Sequence, residues 1–211
     1  MLGVLIPALN EEKNIQKVIH GIQQAGVESQ SIFVLNNNST DRTKEIAIEN
    51  KCSVIDIESR GYSSTLQAGL SLLRKKNYQR FLIVDGDNEI DSISVKEIIY
   101  KSGSYRLCCG FRKEPKRIGE KIVNIYFKKR FGISDYMCGL KLGYIDDYNS
   151  MSTLNYGIDL LNLDRIKNID ILNIEIKLNN RDGSRLGTNL KVNFLLIYNL
   201  VKYIWITKNL K

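Results

Sequence analysis

Short apolar runs recur through the first half of the chain: Gly3 to Pro7, Ser31 to Leu35, Ser53 to Ile57 and Phe81 to Val84. Between them apolar residues return at helical spacing, as in Ile15, Val18, Ile19 and Ile22, and again in Leu66, Leu70 and Leu73. Asn10 is the expected N-cap of the first of these helices. Strands that are apolar on both faces suit the interior of a parallel sheet, because alternation is needed only where one face meets water. The segments between them are long enough for right-handed crossovers. This half is therefore predicted to be a βαβαβαβ unit of a doubly wound, mostly parallel α/β sheet.

In such sheets ligands gather beyond the carboxyl ends of the strands. The fourth run leads straight to that position as Phe81-Leu82-Ile83-Val84-Asp85-Gly86-Asp87-Asn88-Glu89. Gly86 permits a sharp turn, so Asp85 and Asp87 could face one hard cation such as Mg²⁺ or Mn²⁺, with Glu89 near enough to add an oxygen. Asp-Gly is also a common hairpin turn, and acids often cap a following helix, so the stretch alone supports both readings. A calcium loop is excluded, since its glycine and final glutamate positions hold Ile90 and Lys96. The other strands also end in polar loops, and none is a Walker sequence or a dinucleotide glycine fingerprint. A diphosphate bound there would need a metal on Asp85 and Asp87 to neutralise it.

The 211 residues suffice for one domain, or one domain with a small appendage. Cys52, Cys108, Cys109 and Cys138 show no metal-ligand spacing and read as reduced core residues of a cytoplasmic protein. No signal peptide and no membrane-spanning run is expected. The net charge of +8 suits nucleic acid, an anionic membrane surface or a phosphate-rich substrate. Without interleaved aromatics or a zinc-finger pattern, nucleic acid ranks last and is not expected as a partner.

Beyond Asp91 the pattern predicts a helix from Ser94 to Tyr100, a strand from Tyr105 to Gly110 and a helix from Ile118 to Phe131. A strand from Tyr136 to Leu142, a helix from Tyr156 to Leu163 and a strand from Ile169 to Ile176 come next. Arg112 follows a buried strand and could aim a bidentate fork into the cleft. Arg181 and Arg185 flank Gly183-Ser184, a pattern that fits a phosphate loop or a surface turn. The apolar tail from Val192 to Thr207 is interrupted by Asn199 and Lys202. It is expected to pack on the domain, pair with a second copy, or lie in a membrane interface with Trp205 at headgroup level.

Several motifs agree in order and spacing: Ile6 to Glu12, Val34 to Asp41, Arg60-Gly61-Tyr62, Asp85 to Glu89, Gly110-Phe111-Arg112, Cys138 to Lys141, Tyr156 to Asp159, and Arg181 to Arg185. Together they resemble the family-2 glycosyltransferases of GT-A fold, and within them the polyprenyl-phosphate sugar synthases related to dolichyl-phosphate mannose synthase. The resemblance implies a catalytic domain over residues 1–189, followed by a C-terminal amphipathic helix over 190–211. It implies inverting transfer from a nucleoside-diphosphate sugar to a polyprenyl phosphate by an enzyme of the cytoplasm, peripheral at the inner face of the cell membrane. Asp85, Asp87 and Glu89 would hold Mg²⁺ or Mn²⁺, while Pro7, Asn10, Glu11, Asn36, Arg60, Gly61 and Gly86 would line the donor site. Arg112, Arg181 and Arg185 would orient the acceptor phosphate, which needs no general base. A hydroxyl acceptor, on a polysaccharide or a small molecule, would need one, and Asp159 is the candidate. The chain departs from the family at Asn36, where an aspartate is usual, and at Glu120, where lipid-phosphate synthases carry a serine.

Overall fold

The computed structural model describes residues 1–209 except 60, 116, 151, 167–169 and 180–189. Seven strands and six α-helices form among them. The strands are β1 (Leu2–Ala8), β2 (Ile32–Asn36), β3 (Ser53–Asp56), β4 (Arg80–Ile83), β5 (Leu107–Phe111), β6 (Lys141–Tyr144) and β7 (Ile171–Glu175). The helices are α1 (Ile15–Gln24), α2 (Thr43–Glu49), α3 (Tyr62–Lys75), α4 (Ser92–Lys101), α5 (Ile118–Phe131) and α6 (Leu190–Asn209). The strands join one sheet in the order β3-β2-β1-β4-β6-β5-β7. β1 to β4 run parallel, β6 is antiparallel to both β4 and β5, and β7 is parallel to β5.

The central strands are buried on both faces, as their unbroken apolar runs require. In β4, Phe81 and Ile83 enter one core and Leu82 the other, with Val84 following it. One face is covered by α1 and α4 through Ile15, Ile19, Ile22, Val95 and Ile98, with Ala47 of α2 at its side. The other is covered by α3, α5 and α6 through Leu66, Leu70, Val123, Phe127, Leu196, Leu200 and Tyr203. The result is a three-layer α/β sandwich.

The first four strands and the helix from Ile118 to Phe131 form where the sequence pattern puts them. Three expectations are corrected. Asn10 does not cap α1, which begins at Ile15; Asn10 sits in a left-handed conformation with φ 54° inside the β1–α1 loop. The stretch before Lys141 is not a strand, because Tyr136 leaves the sheet and stacks face to face on Phe127, ring centroids 3.9 Å apart. Residues 156–163 are not an α-helix. Tyr156 and Gly157 have φ of 61° and 67°, and backbone N–H groups of this loop bond to the Asp159 carboxylate rather than along a helix.

The tail forms α6, whose Val192, Leu196, Leu200 and Tyr203 complete the core beneath α5. Tyr203 meets Tyr126 and Phe127 of α5 at ring distances of 6.3 and 5.6 Å. No helix among the described residues is long and apolar enough to cross a membrane. All four cysteines are buried and unbonded. Because Phe127 stacks on Tyr136 and also touches Tyr203, Phe127→Ala is expected to cost ~3–5 kcal/mol of unfolding free energy, read by chemical denaturation.

Candidate active site

The carboxyl ends of β1, β2 and β4 lie side by side, with Ala8 paired to Asn36 and Leu5 to Ile83. The chain leaving β4 passes so close to the end of β1 that a Cβ at Gly86 would stand 3.0 Å from the Pro7 oxygen. A side chain at 86 would press on the Pro7 carbonyl, which would have to give by a few tenths of an ångström. The Gly86 N–H donates to that oxygen, and the Glu89 N–H donates to the Asp87 carboxylate at 3.0 Å. Asn179 closes the turn from the far side: its side-chain amide donates to the Asn88 carbonyl at 3.0 Å and its N–H to the Glu89 carbonyl at 2.8 Å.

Asp85 is held on two sides. The Tyr62 hydroxyl donates to its Oδ1 at 3.0 Å, and a Cβ on Gly139 would lie 1.9 Å from its Oδ2. Tyr62 can reach it because Gly61, at φ 120° and ψ 150°, turns the chain into α3. Burial, and after it the neighbouring Asp87 carboxylate, push the Asp85 carboxyl up to about 6. Asp85, Asp87, Glu89 and Arg112 line one small cavity of about 40 Å³, walled by Met137, Cys138 and Gly139.

Among the described residues no three His, Cys, Asp or Glu side chains converge as a metal cage, so Glu89 lines the cavity without completing one. The donor set still fits a hard divalent cation. Two adjacent carboxylates of which one resists ionisation are relieved by a shared positive charge, and Mg²⁺ is commonly held by one or two carboxylates plus substrate phosphates.

The polar loops beside this turn are laced to one another. The Asn10 N–H donates to the Ser39 hydroxyl at 3.0 Å, and the Asn10 side-chain oxygen accepts the Thr40 N–H at 2.7 Å. The Glu11 N–H donates to the Thr43 hydroxyl at 2.7 Å, and the buried Glu11 carboxylate accepts the Asn14 amide at 2.9 Å. Asn36 accepts the Ser39 N–H and donates to the Asp56 carboxylate at 2.7 Å. Hydrogen bonds from Lys44 first and Asn36 second hold the Asp56 carboxyl below its ordinary range. An aspartate at 36 would set two carboxylates against each other, so the amide at this position answers the acid that closes β3.

Arg112 does not extend a free fork into the cleft. Its Nε and Nη2 donate to the two Asp135 oxygens at 2.7 and 3.1 Å, and its N–H joins them at 3.2 Å. Glu120, in the first turn of α5, stands 3.3 Å from Arg112 and accepts from Arg117 at 2.7 Å. Asn124 completes the cluster by donating to Asp135 at 2.7 Å. Burial works against ionisation of Asp135, yet the Arg112 fork and the Asn124 amide hold its carboxyl below the ordinary range.

Asp159 is also occupied. Its carboxylate accepts the Ser152 hydroxyl at 2.6 Å and the N–H groups of Thr153 and Leu154, so it anchors its own loop. Arg60, Arg181 and Arg185 lie outside the described residues. Tyr62, Gly139, Asp135 and Asp56 join the site although sequence reasoning assigns them no role there. Tyr62 and Gly139 stand inside the family-like motifs, whereas Asp135 and Asp56 carry no local signal and are found only through the pairing of distant segments.

The model of the family described as Glycosyl transferase family 2 matches residues 3–151. The chain belongs to glycosyl transferase family 2. Among curated relatives of this family-2 glycosyltransferase, protein RfbJ of Shigella flexneri is 34% identical over 98 residues, 46% of this chain and 73% of the relative. The low-salt glycan biosynthesis hexosyltransferase Agl6 of Haloferax volcanii is 26% identical over 178 residues, 75% of this chain and 42% of the relative. The match to Agl6 thus takes in less than half of that longer protein. Among solved structures, glucosyl-3-phosphoglycerate synthase from Mycobacterium tuberculosis in complex with phosphoglyceric acid superposes with a TM-score of 0.75 at 18% identity, covering 96% of this chain and 79% of that one. The same enzyme with Mn²⁺, UDP-glucose and glycerol 3-phosphate gives a TM-score of 0.72 at 19% identity and the same coverage. The shared architecture is the GT-A fold.

Gly139→Ala is expected to break the Tyr62–Asp85 bond and weaken Mn²⁺ binding to the free protein by ~10–100-fold, read by calorimetric titration. Asp135 ionises more readily in the folded than in the unfolded chain, so its stabilisation is complete above the unfolded pKa and lost as pH falls through the folded one. Wild type is therefore expected to lose stability below about pH 4 more steeply than Asp135→Asn, whose own stability is lower at neutral pH; denaturant midpoints across an acid series read both.

Proposed function

We propose that the chain transfers a sugar, with inversion, from a nucleoside-diphosphate sugar to a polyprenyl (dolichyl-type) phosphate at the cytoplasmic face of a membrane. Residues 1–189 carry the transfer, and the C-terminal segment over 190–211, which contains α6, makes the peripheral contact. The observation that carries this reading is the Asp85–Asp87 turn, clamped at the carboxyl edge of the parallel strands beside the loops of Asn10 and Asn36. Asp85 and Asp87 hold Mg²⁺ or Mn²⁺, which when bound neutralises the departing diphosphate. The Mn²⁺ and UDP-glucose bound by the mycobacterial synthase support a divalent cation and a nucleotide-sugar donor here as well.

Pro7, Asn10, Glu11, Asn36 and Gly61 border the nucleoside and sugar, with Arg60 beside them in sequence. Arg112, fixed by Asp135 on the rim of the carboxylate cavity, orients the acceptor together with Arg181 and Arg185. A phosphate acceptor is already an anion and attacks without a base. The commitment of Asp159 to Ser152, Thr153 and Leu154 agrees with that chemistry. A second reading, a small phosphorylated acceptor whose hydroxyl is glycosylated, is favoured by the phosphoglyceric acid and glycerol 3-phosphate held by the mycobacterial synthase.

A thermal-shift panel of UDP, GDP, CDP and dTDP is expected to find one nucleotide that stabilises wild type only with Mn²⁺. The gain is ~2.7 kcal/mol at a hundredfold excess over Kd, and it disappears in Asp87→Ala. With the matching nucleotide sugar and an isoprenoid phosphate, product should partition into organic solvent. Product confined to the aqueous phase transfers the assignment to the second reading, and binding without donor consumption removes catalysis altogether.

A further inference from the structure

The helices α5 and α6 lie side by side and run in the same direction. Gly119 meets Asn193 through a 2.9 Å hydrogen bond, Tyr126 and Phe127 meet Tyr203 farther on, and Arg130 and Phe131 share a cavity with Thr207 and Lys208 at the far ends. Each helix buries one stripe in the core and exposes another that is equally apolar. On α5 the exposed stripe is Ile118, Ile122 and Ile125; on α6 it is Leu190, Phe194, Tyr198, Val201 and Trp205. These spacings keep each set on one face of its helix. Phe194 and Trp205 are 69% and 66% exposed, far more than large aromatic side chains of a soluble surface usually are.

Helical periodicity sets the two stripes next to each other and the lysines at their margins. Lys121 and Lys128 fall on the outer flank of the α5 stripe, Lys129 continues its line, and Lys202 falls on the outer flank of the α6 stripe. All four are exposed, and none is in an ion pair among the described residues. The sequence of α6 contains no acid, and the one acid of α5, Glu120, is buried against Arg112 and Arg117. A second copy docking by this face would therefore bring lysine margins onto lysine margins, with no exposed carboxylate on either helix to receive them. An anionic lipid surface meets both chemistries at once, with acyl chains for the stripe and phosphates for the lysines.

We propose that the joined apolar stripes of α5 and α6, rimmed by Lys121, Lys128 and Lys202, form a face that docks in the plane of an anionic lipid bilayer. The proposal deepens the lipid-acceptor reading and rests on it for its purpose, while its physical basis is this face alone. Ile118 opens the stripe in the first turn of α5, the turn in which Glu120, on the opposite and buried side of the helix, touches Arg112 of the cavity rim.

The test is flotation of the full chain with vesicles of phosphatidylcholine alone and of phosphatidylcholine with phosphatidylglycerol. Wild type is expected to float with the anionic vesicles, less at high salt. Phe194→Ser with Trp205→Ser should reduce the bound fraction ~tenfold or more, as should Lys121→Glu with Lys128→Glu. Unchanged melting temperature and Mn²⁺-dependent nucleotide binding in both variants show that the fold and donor site are intact. If wild type stays with the soluble fraction, or binds both vesicle types alike and both variants float as it does, the docking face is refuted. A concentration-dependent dimer abolished by the Phe194 and Trp205 changes would assign the face to a second copy instead. Nucleotide binding that fails while flotation succeeds overturns the transfer reading and leaves the docking face standing.

Discussion

One buried carboxylate joins the end of β5 to the helix α5 that covers the sheet. Asp135 receives the guanidinium fork and the backbone N–H of Arg112 at the end of β5, and the amide of Asn124 on α5. The arrangement is over-determined: leaving either charge alone at this depth would be far costlier than the pair itself is stabilising. From α5 the linkage continues to α6 through Gly119–Asn193 and the rings of Tyr126, Phe127 and Tyr203. The position of Arg112 on the cavity rim and the position of the outermost helix are thus set by the same few contacts.

The carboxylate turn depends on close approach instead. Gly86 lets the chain pass the end of β1, and Gly139 leaves room for the Asp85 carboxylate itself. Neither glycine is there for flexibility in the ordinary sense. A methyl group at 139 would collide with the Asp85 carboxylate, and one at 86 would press on the Pro7 carbonyl. Tyr62 and the lacing of Asn10, Ser39 and Thr40 then hold the surrounding loops at fixed distances from that turn. This is the kind of pre-organisation that positioning a diphosphate requires.

The parallel half was legible because its signals are local. Doubly buried strands read as apolar runs, crossovers have a minimum length, and the Asp85 to Glu89 turn must emerge at the edge where polar loops already gather. The second half was less legible because its decisive contacts are distant in sequence. Tyr136 has the neighbours of a strand residue, yet a stacking partner on α5 draws it out of the sheet. The stretch from Tyr156 has helical spacing, and the left-handed pair Tyr156-Gly157 together with the acceptor at Asp159 overrides it. The placement of Arg112 after a buried strand is legible, but its partner is not, since nothing near Asp135 in the chain announces a buried acid. Asn36 departs from the family pattern, which usually has an aspartate there. Its register partner Asp56 shows it to be a relocated charge.

The reversal of β6 has a consequence for how such a molecule can diversify. A parallel strand reaches the ligand edge at its end and supplies the residues after it, whereas an antiparallel strand starts there and supplies the residues before it. Asp135, Cys138 and Gly139 all belong to the entry into β6, so they arrive at the same edge from the opposite chain direction. One wall of the cavity is therefore written in the first ninety residues, and the other in a separate stretch that begins after β5. Insertions or substitutions in the entry to β6 can reshape that wall of the cavity without touching the first ninety residues, provided position 139 stays open for the Asp85 carboxylate. The two stretches meet where Gly139 faces Asp85, and at that contact they must stay matched.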